Sequence, residues 1–287
     1  NKVKTTISRT NGGIAVEHET PHGTLREVRE TGYASEHFVK STDDFPALRY
    51  LLENTTFRFD EEAFRAADRE FGDVGVPETF FTKSPLQRLL LDWMGIETGV
   101  MCLFESPDEV QELLDFVDEW DDRVYEALCA SPVQIFNFGE NLHAQFDSPM
   151  IMEEHLMPYY KKRTAQLHEH GKFCSVHADG DVGPILGQLV ESGFDAIEAP
   201  TPKPQGDVTL EEIKESLGDR TILQDGLPAI AFLPNFPEKD LYAMTEKVLE
   251  MFSPNLILGI SDELPPAGEI ERVKKIGEIA KEFRVRG

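Results

Sequence analysis

Cysteine is scarce in this chain. Three residues in 287, Cys102, Cys129 and Cys174, are scattered with no CxxC spacing, which excludes a disulfide framework and a thiolate-rich zinc module. Basic residues are also few: 28 Lys plus Arg stand against 53 Asp plus Glu, a formal charge of −25. That balance excludes nucleic acid as a partner, because phosphate binding is driven by Lys and Arg releasing counterions. It also disfavours an anionic membrane surface. No run approaches the ~18 continuous apolar residues of a spanning helix, and Asn1–Thr6 carries no apolar signal region. The expectation is a cytoplasmic globular protein. No strand-like run is followed by GxGxxG or GxxxxGK[ST], and no GxSxG elbow occurs; phosphate-cradling loops and serine-hydrolase chemistry lose their signatures. Position 1 is Asn rather than Met, so the start reads as trimmed, processed or left out.

What is present is enough apolar residue, 40% with 19 Phe, to bury a sizeable core. Val3–Arg9 and Ile14–Glu19 are β-rich runs joined by Thr10-Asn11-Gly12-Gly13, a hairpin signal. A second turn, Thr20-Pro21-His22-Gly23, leads to a third antiparallel strand over Thr24–Tyr33, and His18 and His22 flank it as solvated side chains. Acidic amphipathic stretches follow near 43–53 and 60–71. Ser106-Pro107-Asp108-Glu109 has the spacing of a capping box opening a long helix with Val110, Leu113, Leu114, Val117 and Leu128 inward.

From about residue 75 strand-like runs alternate with helix-like ones. The strands are Val133–Phe138, Phe173–Ala178, Asp195–Ala199, Thr221–Gln224 and Leu256–Ile260. Helices follow, at 183–192, from Thr209 to Gly218 with a capping box to Glu212, at 238–252, and in a final segment with Ile270, Val273, Ile276, Ala280 and Phe283 on one face. Such alternation implies a parallel sheet covered by helices. Without nucleotide fingerprints, a (β/α)₈ barrel is preferred over a doubly wound sheet. The expectation is one domain over 1–287, with a hairpin excursion at 1–35 and βα repeats at 75–287.

Polar residues follow each strand in turn: Glu140 and Asn141 with His143 behind them; His177, Asp179 and Asp181; Glu198; Asp225; then Asp262 with Glu263. Any one could serve as a helix cap or a loop charge. Five strands in succession point to a site at the strand C-termini, where barrel enzymes build theirs. His177-Ala178-Asp179 is the sharpest local feature, since residues two apart on a strand project to one side. Such a pair can bind a divalent metal or act as an oriented acid–base couple, and Glu198 and Asp262 would complete a mixed N/O site. Asn141, His143, Asp181 and Asp225 are candidate substrate-binding residues, and Glu140 joins His177 and Asp179 as a candidate catalytic group. Cys174, an odd number of residues from His177, falls on the opposite face and reads as core. Tyr159 and Tyr160 read as packing.

Several stretches resemble the uroporphyrinogen decarboxylase superfamily: Gly139-Glu140-Asn141-Leu142 through Ser148-Pro149 to Met157-Pro158-Tyr159, Val176 to Asp181, Glu191 to Ala196, and Leu258 to Pro266. Thr20 to Leu25 and Lys40 to Asp44 resemble its branch of corrinoid-dependent methyltransferases. The resemblance implies a (β/α)₈ barrel with its site at the C-terminal mouth. Members usually begin with a helix and two barrel strands ahead of residue 1 here, so this chain is expected to supply about six barrel strands, with a leading segment missing or replaced by the hairpin.

The methyltransferase branch holds zinc with H-x-C and a later Cys, and activates a thiol that takes a methyl group from a corrinoid. Here His177 matches the His, Asp179 stands at the first Cys, Asp262 or Ser261 stands near the second, and Glu198 falls near a carboxylate that can meet the zinc. Without those cysteines, a non-thiol acceptor such as a pterin, or a demethylation, fits better. The resemblance thus implies a divalent metal, zinc first, and a corrinoid as co-substrate on a partner protein, with a small acceptor. The decarboxylase branch uses no metal and holds its tetrapyrrole's carboxylates with an Arg pair and an Asp. That Arg motif is not visible here, Gly259-Ile260-Ser261-Asp262 replaces its Gly-His-Gly run, and a charge of −25 repels a polyanion. Methyl transfer is therefore preferred, with a carboxy-lyase of porphyrin metabolism and a non-catalytic corrinoid- or tetrapyrrole-binding barrel as alternatives.

Overall fold

The computed structural model describes residues 3–283 and contains two compact units. The first takes in residues up to Glu70 and Thr82–Pro132; the second takes in Phe71–Phe81 and everything from Val133. The first opens with a four-stranded antiparallel sheet in sequential order, β1 (Lys4–Arg9), β2 (Gly13–Thr20), β3 (Gly23–Glu30) and β4 (Tyr33–Glu36). The Asn11-Gly12 turn closes as expected, with Thr10 N–H donating to the Gly13 carbonyl at 3.0 Å. The third strand ends sooner than its composition suggests. Thr31 and Gly32 take left-handed backbone and turn the chain into β4.

Helix α1 (Phe45–Glu53) packs on β2 and β3, on the face that carries Gly23 and the buried Leu25, and is followed by α2 (Glu61–Phe71). Beyond β5 (Glu78–Phe80), a short turn α3 (Pro85–Gln87) runs into a π-helical stretch, Arg88–Trp93, and then α4 (Ile96–Glu105) and α5 (Pro107–Ala130). The five apolar residues expected inward on α5 are all buried. The Ser106 capping box is not made. Ser106 closes α4, its N–H bonding back to the Cys102 carbonyl, and its ψ of 54° is not the extended geometry a cap requires. One residue cannot end one helix with its N–H and offer that same N–H to Glu109. Beneath, Arg88 forms a buried ion pair with Asp121.

The second unit is a six-stranded parallel sheet in order β10-β9-β8-β7-β6-β5. From β6 (Ile135–Leu142) the chain passes through α6 (Pro149–Ile151), a π turn at Met152–Leu156 and α7 (Met157–Glu169) to β7 (Phe173–Ala178). It continues α8 (Leu186–Glu191), β8 (Ala196–Glu198), α9 (Leu210–Leu217), β9 (Ile222–Pro228), α10 (Glu238–Phe252), β10 (Leu256–Ser261) and α11 (Ile270–Glu282). The Thr209–Glu212 capping box is present. No helix among the described residues is long and apolar enough to cross a membrane.

Register sorts the two faces. Phe138, Val176, Ile197 and Leu223 align across β6 to β9, and all are fully buried. On the other face His177, Glu198 and Gln224 align across three strands, and Asn137, Ser175 and Ala196 form the row beneath. The sheet is curled. Ser175 on β7 hydrogen-bonds Glu78 on β5 at 2.6 Å, across an intervening strand, where a flat sheet would separate them by about 9.5 Å. Glu78 also raises the pKa of Asp225 on β9, four strands away and about 19 Å distant if the sheet were flat. A half-barrel of parallel strands, with antiparallel strands at the N-terminus, is the TIM-like architecture the βα alternation implies.

Candidate functional site

The polar row of the parallel sheet is a connected network. Glu198 accepts three hydrogen bonds: from the His177 Nδ1–H at 3.1 Å, from Asn137 Nδ2 at 2.6 Å and from Gln224 Nε2 at 3.1 Å. Asn137, fully buried, turns its second amide hydrogen to Glu78 at 3.3 Å, and Ser175 donates to the same Glu78 oxygen. With Nδ1–H committed to Glu198, His177 presents Nε2 toward Asp179, whose Oδ1 lies 3.8 Å away. That is too long for a hydrogen bond and leaves the nitrogen available to a ligand.

Charge explains how these groups titrate. Burial pulls the His177 pKa down, but the Glu198 hydrogen bond and the negative charges of Glu198, Asp179 and Asp262 outweigh it, and the net shift is upward. Burial pushes Glu198 up, yet its bonds from His177, Asn137 and Gln224 win and lower it. Asp225 has no such support, and its carboxyl takes no hydrogen bond among the described residues. Burial first, then the neighbouring charge of Glu198, raise it to about 7, with His177 opposing and Glu78 and Asp262 adding. Asp225 reaches the network only because its backbone is left-handed at φ 81° and because β10 has glycine at 259. A Cβ there would stand 2.2 Å from the Asp225 Oδ1. Among the described residues no Lys or Arg forms an ion pair with Glu78, Asp179, Glu198, Asp225 or Asp262. The centre is one imidazole among carboxylates.

Asn141 (φ 56°), Ala199 (φ 61°) and Asp262 (φ 72°) share that left-handed backbone with Asp225. Each lies in the latter part of a strand of this sheet or directly beyond it. Such residues cost about 1–3 kcal/mol apiece and collect where side chains must be aimed. This concentration at the strand C-termini is independent of the titrations and marks the same end of the sheet.

The remaining candidate residues sort by distance from this centre. Asp181 and His143 belong to two loops clasped together, through Ala144 N–H to the Asp181 carbonyl at 2.8 Å and Gln145 Nε2 to Asp181 Oδ2 at 3.1 Å. The His143 ring stacks on Phe146 and lies over Gly180, where a Cβ would clash at 2.7 Å. Asn141 is exposed. Glu140 lies elsewhere: it is fully buried and accepts a hydrogen bond from Tyr160 of α7 at 3.0 Å. Tyr160 itself packs edge-on against Phe138 and Phe194. Cys174 is buried on the face away from His177.

Glu78, Asn137, Ser175 and Gln224 were not singled out from the sequence. Three are neutral strand residues without a motif, and β5 is too short to show a period; their inward parity on the strands was the available signal for Asn137 and Ser175. For metal binding, His177 Nε2 and Asp179 offer a nitrogen and a carboxylate on one side, while Glu198 holds Nδ1–H, the outer-shell position that orients a metal-ligating histidine. Asp262 contributes negative charge to the imidazole. These side chains do not converge tightly. Among the described residues, three such donor atoms lie mutually within 4.8 Å only at His168, Cys174 and Asp195.

The family model described as Uroporphyrinogen decarboxylase (URO-D) matches residues 15–283. A solved methyltransferase from Methanosarcina mazei superposes with a TM-score of 0.64 at 16% identity, covering 97% of this chain and 75% of that one. At that identity the likeness is one of fold. A putative orotidine 5'-phosphate decarboxylase from Streptomyces avermitilis ma-4680 gives a TM-score of 0.35 at 15% identity, over 72% of this chain and 70% of that chain. Among curated proteins no match was found.

Proposed function

The chain belongs to the uroporphyrinogen decarboxylase family, and from that premise we propose that it moves a methyl group between a corrinoid, free or carried by a partner protein, and a small non-thiol acceptor. The observation that carries this reading is the carboxylate-ringed His177 network, to which no Lys or Arg among the described residues is paired. Such a centre suits a metal cation and a neutral or cationic acceptor. A carboxy-lyase acting on a polycarboxylated tetrapyrrole would need cationic partners for its substrate, and here it would meet repulsion.

His177 Nε2 and Asp179 would hold a divalent metal, Asp262 would add negative charge without converging on that pair, and Glu198 would act by orienting the imidazole rather than as a ligand. With only one nitrogen and otherwise oxygen donors, the site fits zinc less exclusively than a cysteine site would. When bound, the metal supplies Lewis-acid chemistry, lowering the pKa of an acceptor heteroatom. The chain's own residues do the rest. Asn137 and Gln224 hold Glu198 ionised, and Glu198 fixes the imidazole tautomer. Asp225, titrating at about 7, takes the proton the acceptor releases.

The test incubates methylcobalamin with a thiol, an amine and a pterin in turn, and follows loss of the cobalt–methyl chromophore. Demethylation with the amine or the pterin that is lost in His177→Ala and Asp179→Asn is the expected result. Undiminished activity in His177→Ala, or no demethylation with any acceptor, overturns the reading. Elemental analysis of the same proteins measures the metal lost with His177.

A further inference from the structure

We propose that His168, Cys174 and Asp195 form a separate metal site of zinc type at the N-terminal end of the parallel strands, away from the His177 network and independent of the function proposed above. His168 sits in the last turn of α7, Cys174 is the second residue of β7, and Asp195 immediately precedes β8. The end of α7, β7 and the start of β8 bring a nitrogen, a sulfur and an oxygen donor to one point.

The geometry is close to what a metal requires. His168 Nε2 and Asp195 Oδ2 are 2.9 Å apart, Cys174 Sγ is 3.9 Å from that nitrogen, and it is 3.7 Å from that oxygen. A tetrahedral zinc ion with bonds of about 2.0–2.3 Å places its ligand atoms about 3.3–3.6 Å apart. Adjustments of a few tenths of an ångström would satisfy all three. The carboxylate is already aimed, because the Cys174 backbone N–H donates to Oδ2 at 2.8 Å. Cys174 is 1% exposed and so cannot swing away. The His168 and Asp195 side chains are 40% and 30% exposed, which leaves the fourth position to water.

Ligand chemistry sets the metal. One thiolate with imidazole and carboxylate selects zinc, or cobalt as its spectroscopic stand-in, over magnesium and calcium, which prefer oxygen alone. Binding balances simply: the thiol releases one proton to solvent, and the neutral imidazole moves its hydrogen from Nε2 to Nδ1. A nucleophilic role for Cys174 fits less well, since burial raises its thiol pKa far above the ordinary value. The metal would instead tie the end of α7 to the beginnings of β7 and β8, a structural clamp on the scaffold.

The test adds cobalt(II) to the purified full chain and records the thiolate-to-cobalt charge-transfer band in the near ultraviolet. The His177 network has no sulfur, so the band does not come from there, and the variants assign it among the three cysteines. A band that saturates at one thiolate-bound cobalt per chain, lost in Cys174→Ser and His168→Ala and kept in His177→Ala, is expected. Wild-type protein without the band overturns the proposal. So does a band that survives in Cys174→Ser, which would come from Cys102 or Cys129, or one undiminished in His168→Ala. Because His168 is exposed, its replacement tests the site without opening the core. Zinc should raise the melting temperature of the wild type by more than that of His168→Ala.

Discussion

Replacing Asp225 by Asn removes a charge and almost nothing else. The amide has the same shape, so it fits the space above Gly259, and Asn tolerates the left-handed backbone at φ 81° as well as Asp does. The effect is therefore electrostatic. An acid raised from 3.8 to about 7 on folding keeps its proton in the folded chain over a pH range in which the unfolded chain has lost it. Stability then falls as pH rises through that range and levels off above it. A shift of about three units corresponds to about 4 kcal/mol at 1.36 kcal/mol per unit. Asp225→Asn should match the wild type near pH 4 and exceed it by up to that amount at pH 8. In a chain of this size the gain appears as roughly 5–10 °C in melting temperature. Calorimetry of both proteins from pH 4 to 8.5 measures it. Melting curves that stay parallel and superposed across that range would refute the claim that this carboxyl is buried without hydrogen-bond support.

Other outcomes follow from the same geometry. Gly259→Ala drives a Cβ into the Asp225 carboxyl and should cost about 1–3 kcal/mol, measured by denaturation, with loss of methyl transfer. The His177–Glu198 pair obeys linkage. The raised His177 contributes fully below pH 6.5 and loses its contribution as pH rises through its folded value. The lowered Glu198 contributes fully above pH 4.5 and loses its contribution as pH falls through its folded value. The pair should therefore contribute most between 4.5 and 6.5, and Glu198→Gln should abolish that window when compared in the Asp225→Asn background. In the first unit, Arg88→Leu removes the buried ion pair with Asp121 and should destabilise by about 3–5 kcal/mol, measured as a shift in the denaturation midpoint.

Much of the second unit was legible because β6 to β9 carry a buried apolar row on the helix-facing side, and several helices are bounded by a cap or a glycine. Thr209 with Glu212 and Gly218 bounded a helix to the residue. Legibility failed where one residue had two duties, as at Ser106, and where a turn cut a β-rich run, as at Thr31-Gly32. For the candidate site, polar residues at and just beyond the strand ends mark His177, Asp179, Glu198, Asp225 and Asp262. Asn137, Ser175 and Gln224 carry no such mark, because their parts in the network depend on cross-strand register. Nor does Glu78, which the curl of the sheet brings across to Ser175. Left-handed backbone at Ala199 has no sequence signal, since alanine gains nothing from it.

The strictly sequential order of the parallel strands also bears on how such a centre can change over generations. His177 arrives with β7, Glu198 with β8, Gln224 and Asp225 with β9, and the residue after β10 is Asp262. Each strand and its following helix is a separate cassette carrying its own share of the chemistry. Recombination that exchanges one cassette would replace one or two groups around the imidazole and leave the others in register, so reactivity can be revised one strand at a time on an unchanged frame.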